Sequence, residues 1–365
     1  MVDHLLCTEA SSYNLRDKTI HRLLEGIRRY GLENVSTLSK WIDIPVETAR
    51  YMIWEELPKH KIGVGVSVNL PRIGLGRWSL LVNPAQKNYA EAIEAFLKDG
   101  AGGVYLARII PSNSIYAHIG IPFGEHYKLK EHLEYLKSSG VVESYSLEEL
   151  EWSRYVSFNP SFYDFKERAW KFDWKDVDEA REPLLTPYTK EEQAPIVDYK
   201  DLLILRELQE RVPRTLSKLS RKLELDQHNL RYHYKSHARR AIQGYYVKLM
   251  PGDAISFQTS MIFALEIENE KSLTEARSTA LSLPFTSFVW KTESEFYWYA
   301  SFPGEYTNGV LSFINERFTR ISGKLRIMML DSKSERSGHI PVELFDERAG
   351  MWKYEPRSAF LTLKK

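Results

Sequence analysis

The chain has 365 residues, 43% of them hydrophobic and 13% aromatic, with a formal net charge of +1. That length suits two to four domains with real cores, while near-neutrality confines any nucleic-acid surface to a local patch. One cysteine, Cys7, excludes an internal disulfide framework and a cysteine-rich zinc module.

No apolar run approaches the ~20 residues of a membrane span. The start, MVDHLLCTEASS, has neither the basic opening nor the long apolar stretch of a signal peptide. The expectation is a soluble, cytoplasmic protein with no membrane partner and no cofactor.

In chain order, KTIHRLLEGIRRY, STLSKWIDI and VETARYMIWEEL read as three helices. RWSLLVNP, YAEAIEAFLKD, GGVYLARII, SIYAHIGIP, HYKLKEHLEYLKS and VVESYSL follow as strand, helix, strand, strand, helix, strand. DVDEAREPLLTPYTKEEQAP, acidic with three prolines, reads as a linker.

The plan then repeats. DYKDLLILRELQER carries Leu202, Leu203, Leu205 and Leu208 on one helical face. TLSKLSRKLEL, capped by Thr215, and DQHNLRYHYKSHARRAI, capped by Asp226, give two more helices, and YYVKLMP reads as a strand. Three short helices and a strand make a winged or plain helix-turn-helix. SMIFALEIEN, SLTEARSTALSL, FTSFVWKTES, EFYWYASF, EYTNGVLSFINERF and KLRIMMLDS again run βαββαβ, the order of a ferredoxin-like sandwich.

Three sequence matches support a duplication. NPSFYDFKERAWKFDW returns as IPVELFDERAGMWKYEP, with Pro160 and Pro341 181 positions apart and Trp170 and Trp352 182 apart. TLSK at Thr37 returns at Thr215, and Gly124-Glu125 returns 180 positions on as Gly304-Glu305. The expected class is α+β, with two tandem units of helix-turn-helix plus βαββαβ domain. The boundaries fall at 1–73, 74–175, a linker at 176–197, 198–257 and 258–365.

The segment from Asp201 to Pro251, with its Thr-Leu-Ser second helix and its Ile-x-Gly-Tyr before the strand, resembles the DNA-binding region of the leucine-responsive regulator (Lrp/AsnC) family. GEYTNGVLSF resembles part of that family's regulatory domain. The chain departs from the family in carrying two units, in reading HKIGVGVSV in the first, and in the Trp-Lys extension that ends each half. The resemblance implies a transcription regulator that binds double-stranded DNA as a homodimer, tuned by a small-molecule effector such as an amino acid. Gly124, Glu125, Gly304 and Glu305 are then candidate effector residues; the plainer reading of the two acids is helix-starting residues favoured by the dipole.

Charge separates the two helix-turn-helix copies. From Arg214 to Arg240, eight cations face Glu224 and Asp226, a net +6; from Thr37 to Lys61, four cations face four acids. Phosphate neutralisation supplies most duplex affinity, so DNA binding is assigned to the second copy. Thr215, Ser217, Lys218, Arg221 and Lys222 on its second helix are candidate contacts. So are Gln227, His228, Asn229, Arg231, Tyr232, His233, Lys235, His237, Arg239 and Arg240 on its third. Gln227 and Asn229 suit adenine, and Arg231 suits guanine.

His233 and His237 lie four apart, a zinc-compatible spacing. No cysteine or nearby paired acid completes a site, so phosphate or packing contacts are expected and no metal is assigned. No nucleophile–base constellation or P-loop stands out, and no catalytic residue is assigned. The alternatives are a scaffold protein that does not bind DNA and an enzyme on the same scaffold, because siroheme decarboxylases resemble this family. For that enzyme His118, His126, His132 and Arg108 are the available basic groups.

Overall fold

Residues 18–30 form the first helix, α1, with Ile20, Leu23, Leu24 and Ile27 fully buried along one stripe. The computed structural model describes residues 18–99, 101–179, 197–249, 259–318 and 324–356; most of the expected linker lies outside them. Asn34 caps α2 (Val35–Ile42). The third helix, α3, runs Val46–Tyr51, passes through a π-turn at Met52–Glu56, and ends at Leu57–Lys59. Strand β1 (Ile62–Val68) follows.

The second half opens in the same way. Helix α7 (Tyr199–Glu210) begins with a reciprocal capping box between Asp198 and Asp201. Helix α8 (Leu216–Lys222) is capped by Thr215. Helix α9 runs Gln227–His233, a π-turn at Tyr234–Ala238, and Arg239–Ala241. The two π-turns sit at corresponding places in the two third helices. Strand β9 (Ile242–Leu249) pairs antiparallel with β1 from Ile62↔Leu249 to Val68↔Ile242, so each strand covers the other's edge.

The main body is a ten-stranded antiparallel sheet. The first half supplies β2 (Leu75–Pro84), α4 (Ala90–Asp99), β3 (Gly103–Ile110), β4 (Ser114–Pro122), α5 (His126–Ser138) and β5 (Val142–Glu149). The second supplies β10 (Thr259–Glu266), α10 (Glu270–Ser282), β11 (Thr286–Lys291), β12 (Glu295–Phe302), α11 (Thr307–Phe318) and β13 (Leu325–Leu330). The strand orders are β5-β2-β4-β3 and β13-β10-β12-β11, and β3 pairs with β13 to join them.

A short strand, β6 (Trp152–Tyr155), extends the far side by pairing with β11. Only Leu150 and Glu151 separate β5 from β6. Their N–H groups donate to Arg77 O and Lys291 O, so one continuous segment crosses from one quartet to the other.

Successive residues of the central strands point to opposite faces of the sheet. On β2 and β4, Leu80, Val82, Ile115, Ala117 and Ile119 face α4 and α5 through Ile93, Phe96, Leu129 and Leu133. The opposite parity, Tyr116 among it, packs with Ile262, Ala264, Phe288, Trp290 and Tyr297 of the other half. This is why β4 is buried along its whole length.

The repeated phrase forms the same small structure twice. Pro160–Phe162 makes a 3-10 turn into a hairpin of β7 (Tyr163–Asp164) and β8 (Ala169–Trp170). Val342–Leu344 does so into β15 (Phe345–Asp346) and β16 (Met351–Trp352). Asp164 and Asp346 each accept two backbone N–H bonds across their turns. Helix α6 (Trp174–Glu179) follows the first copy. A two-residue strand, β14 (Arg336–Ser337), lies against β3.

Candidate functional site

Between the inner faces of the two quartets lies a cavity of about 720 Å³, within the ~300–1,000 Å³ range of small-molecule sites. Arg77 on β2 and His118 on β4 reach it from the first half, Lys248 on β9 and Tyr299 on β12 from the second. Its aromatic wall includes Tyr155 stacked on Tyr246, centroids 4.6 Å apart, with Phe288 and Trp290 beside them.

Arg77 is a buried cation with little to satisfy it. Its Nη1 donates to Ser153 Oγ at 3.0 Å, and its guanidinium carbon lies 5.3 Å from the Phe288 ring centroid. Its Nε has no partner, and among the described residues no carboxylate pairs with it. Buried charges are ordinarily paired, because an unpaired one is expensive.

His118 is buried edge-on against Trp290, centroids 4.7 Å apart, and its Nδ1 has no partner among the described residues. Burial first, and then nearby Arg77, hold its pKa well below the usual histidine value, so it is neutral near pH 7.

Across the cavity, Glu335 Oε1 accepts from Tyr105 at 3.1 Å and from Tyr299 at 2.5 Å. Burial pushes both phenols up, so they remain protonated donors. Burial also lowers the Lys248 ammonium. The cavity therefore combines an unpaired cation, a neutral imidazole and two phenols within aromatic walls.

Of the four basic groups expected for an enzyme, His118 alone lines this cavity. Arg108 forms a two-pronged bond to Glu94, His126 stacks on Trp78, and His132 stacks on Phe96. Arg77, which sequence reading passed over, sits in GRWSLLV at the parity opposite Trp78, Leu80 and Val82. A charged residue on the inward parity of a strand was the available signal. Gly124, Glu125, Gly304 and Glu305 do not line the cavity; Glu125 pairs with Lys128 at the start of α5.

The residues expected to contact DNA differ in their exposure. Lys218, Arg221, Gln227, His228, Arg231, Tyr232, Lys235 and Arg240 are exposed, and Asn229 is half-buried. Gln227 is tied to Ser217 at 2.7 Å, and Thr215 is used as the α8 cap.

Three of the counted cations are engaged by acids outside the counted window. Arg214 pairs with Glu55, Arg239 with Glu33, and Lys222 with Glu207 and Glu210. Four further carboxylates reduce the local +6 to +2. His233 and His237 face inward instead of toward a duplex. Their Nδ1 atoms meet the two oxygens of buried Asp201 at 3.0 and 3.1 Å. The acid that seemed missing from the sequence comes from α7, thirty-two residues before His233.

No protein-family model matches the chain, and no curated protein matches it in sequence. Among solved structures it is similar to the siroheme decarboxylase NirDL, with a TM-score of 0.56 and 10% identity over 95% of this chain and 99% of that one. The same enzyme in co-complex with an iron-uroporphyrin III analogue matches at 0.52 and 11% identity, over 90% and 93%. A transcriptional regulator of the AsnC family from Pyrococcus furiosus matches over 36% of this chain and 88% of that one, at 22% identity and a TM-score of 0.30. The chain shares a mixed α/β fold with a large antiparallel sheet with NirDL; among the described residues no helix is long and apolar enough to cross a membrane.

Proposed function

We propose that the cavity binds a large aromatic ligand bearing carboxylates, of the tetrapyrrole class, and that the chain is an enzyme that removes one of them as carbon dioxide. The observation that carries this reading is Arg77: a buried guanidinium, unpaired by any described acid, on the wall of an aromatic cavity. A ligand carboxylate would satisfy it through charge-assisted hydrogen bonds. Likeness to NirDL over nearly the whole chain adds support at the level of fold.

In this reading Tyr155, Tyr246, Phe288 and Trp290 offer ring faces to the ligand, and Arg77 and Lys248 anchor carboxylates. When carbon dioxide departs, the bonding electrons remain on carbon, and a proton takes its place. His118 passes on a proton taken from solvent, accepting it at one ring nitrogen and releasing one to the carbon, because an imidazole kept neutral by burial gives up an acquired proton readily.

The architecture belongs to the same proposal. The two halves are two Lrp/AsnC-like units, each a helix-turn-helix and a ferredoxin-like domain, paired within one chain. The matching strand orders, π-turns and terminal hairpins support this.

A second reading, DNA binding by α9, is favoured by one observation. Arg231, Lys235 and Arg240 are exposed without a carboxylate partner among the described residues. One experiment separates the readings. Absorbance titration with iron-uroporphyrin should show a saturable spectral shift in the native chain that Arg77→Met abolishes, and a mobility-shift assay on duplex DNA should show no retardation. An unchanged spectrum would overturn the first reading; salt-sensitive retardation would establish the second.

A further inference from the structure

The Asp-His cluster between α7 and α9 lies apart from the cavity, and neither reading above uses it. Asp198 and Asp201 come from the start of α7, His233 and His237 from α9, and one ligand atom from each lies within 4.8 Å of all the others. Three of the separations are short, with the two imidazoles meeting different oxygens of Asp201. His233 Nδ1 is 3.0 Å from Asp201 Oδ1 and 3.4 Å from Asp198 Oδ2, and His237 Nδ1 is 3.1 Å from Asp201 Oδ2. Four ligands about 2.0–2.2 Å from a tetrahedral zinc stand roughly 3.4 Å apart.

From this geometry we infer that Asp198, Asp201, His233 and His237 form a binding site for a divalent transition-metal ion, zinc-like in its ligand preference. Two imidazoles and two carboxylates suit zinc and its neighbours, whereas magnesium and calcium prefer all-oxygen shells. The carboxylates balance the ion's charge, and the imidazoles bind through Nδ1 with the proton on Nε2. Tyr232, edge-on to both rings, limits their rotation.

The other helix-turn-helix shows that the fold does not need this cluster. Its third helix makes the same π-turn, Met52–Glu56 against Tyr234–Ala238. The positions matching His233 and His237 there hold Tyr51 and Glu55. Tyr51 is exposed, and Glu55 turns outward to Arg214. The second half has gathered four metal-type ligands at a place where the first half folds without them. An ion there would rivet the start of α7 to the middle of α9 and fix the helix that presents Gln227 and Arg231.

The test uses the full chain, stripped with chelator and then offered zinc chloride or magnesium chloride. Metal analysis after gel filtration should find one zinc per chain, and zinc should raise the melting temperature by several degrees while magnesium leaves it unchanged. Asp201 is buried and caps α7, so its loss risks the fold. His237→Ala, at a half-buried position, and Asp198→Ser, which keeps a capping hydroxyl, are the informative variants. Each should fold by circular dichroism yet lose both the bound zinc and the thermal shift. No retained zinc in the native chain, zinc retained equally by both variants, or an equal response to magnesium would each overturn the site and leave a plain Asp-His hydrogen-bond cluster.

Discussion

Trp352 Nε1 donates to the backbone carbonyl of Ile73 at 2.6 Å, spanning 279 positions of sequence. Its counterpart Trp170 is turned the other way. It packs edge-on to Phe285, and its carbonyl accepts from the Tyr306 hydroxyl at 2.9 Å, both in the second half. Tyr354, two residues beyond Trp352, bonds through its hydroxyl to Ala101 O. Each half therefore ends in a hairpin that docks on the other half. The repeated phrase is an exchanged clasp, and the first copy also forms part of the cavity wall through Trp170.

Trp352→Phe should cost about 1–3 kcal/mol of unfolding free energy. The ring body is kept, but a largely enclosed carbonyl loses its donor. Urea denaturation checks this. An unchanged midpoint would show that water replaces the indole at no cost.

A second contact between the halves is set by a glycine. A Cβ on Gly309 of α11 would lie 2.5 Å from the Trp174 ring. Gly309→Ala should destabilise by about 1–3 kcal/mol through overpacking, outweighing the ~1 kcal/mol helix gain of alanine. In a Trp174→Ala background the same change should become neutral or stabilising. That change of sign, read from two denaturation curves, separates steric conflict from helix propensity.

Much of the fold was legible because burial imposes period on sequence. The alternation in SIYAHIGIP and the stripe in DLLILREL place β4 and α7 where the structure has them. What was hidden depends on contacts between distant segments. Nothing local in VESYSLEELEWSRY shows that the strand crosses from one quartet to the other at Leu150. Nothing local in β1 shows that β9 will pair with it. The charge count from Arg214 to Arg240 missed Glu33 and Glu55, which reach Arg239 and Arg214 from the first half. His233 and His237 suggested a phosphate contact because Asp201 lies one helix away. The cavity was out of reach for the same reason: Arg77 and Lys248 are 171 positions apart and meet only when the quartets face each other.

Stability should fall on mild acidification. Burial, then Arg77, lower the folded-state pKa of His118 from 6.5. Burial also lowers His132 and His339. The unfolded chain therefore binds protons below about pH 6.5 that the native chain refuses. Their contribution is present above that pH and is lost as pH falls toward the folded-state values. Urea midpoints should drop between pH 7.5 and 5.5, and His118→Leu should flatten part of that slope. A midpoint independent of pH in the native chain would contradict a neutral, buried His118.

Arg77 gives the sharpest separation of stability from function. In the ligand-free chain it is a buried guanidinium without an acid partner among the described residues, so it stabilises little and costs desolvation. Arg77→Met keeps the length and apolar stem of the side chain and removes the charge. The variant should be as stable as the native chain or more so, by up to about 1–4 kcal/mol if the desolvation cost dominates. Binding of a carboxylate-bearing tetrapyrrole should move the opposite way, because a charge-assisted hydrogen bond worth about 1.5–3 kcal/mol is lost. That corresponds to roughly a 10- to 150-fold weaker dissociation constant at about 1.4 kcal/mol per tenfold. Arg77→Lys, which keeps the charge but not the two-pronged geometry, should fall between. Thermal unfolding and absorbance titration of the three proteins check both halves. If Arg77→Met instead unfolds the chain without altering affinity in what remains folded, the guanidinium serves the structure through Ser153 and the Tyr155 and Phe288 rings, and the anion it awaits is not a ligand's carboxylate.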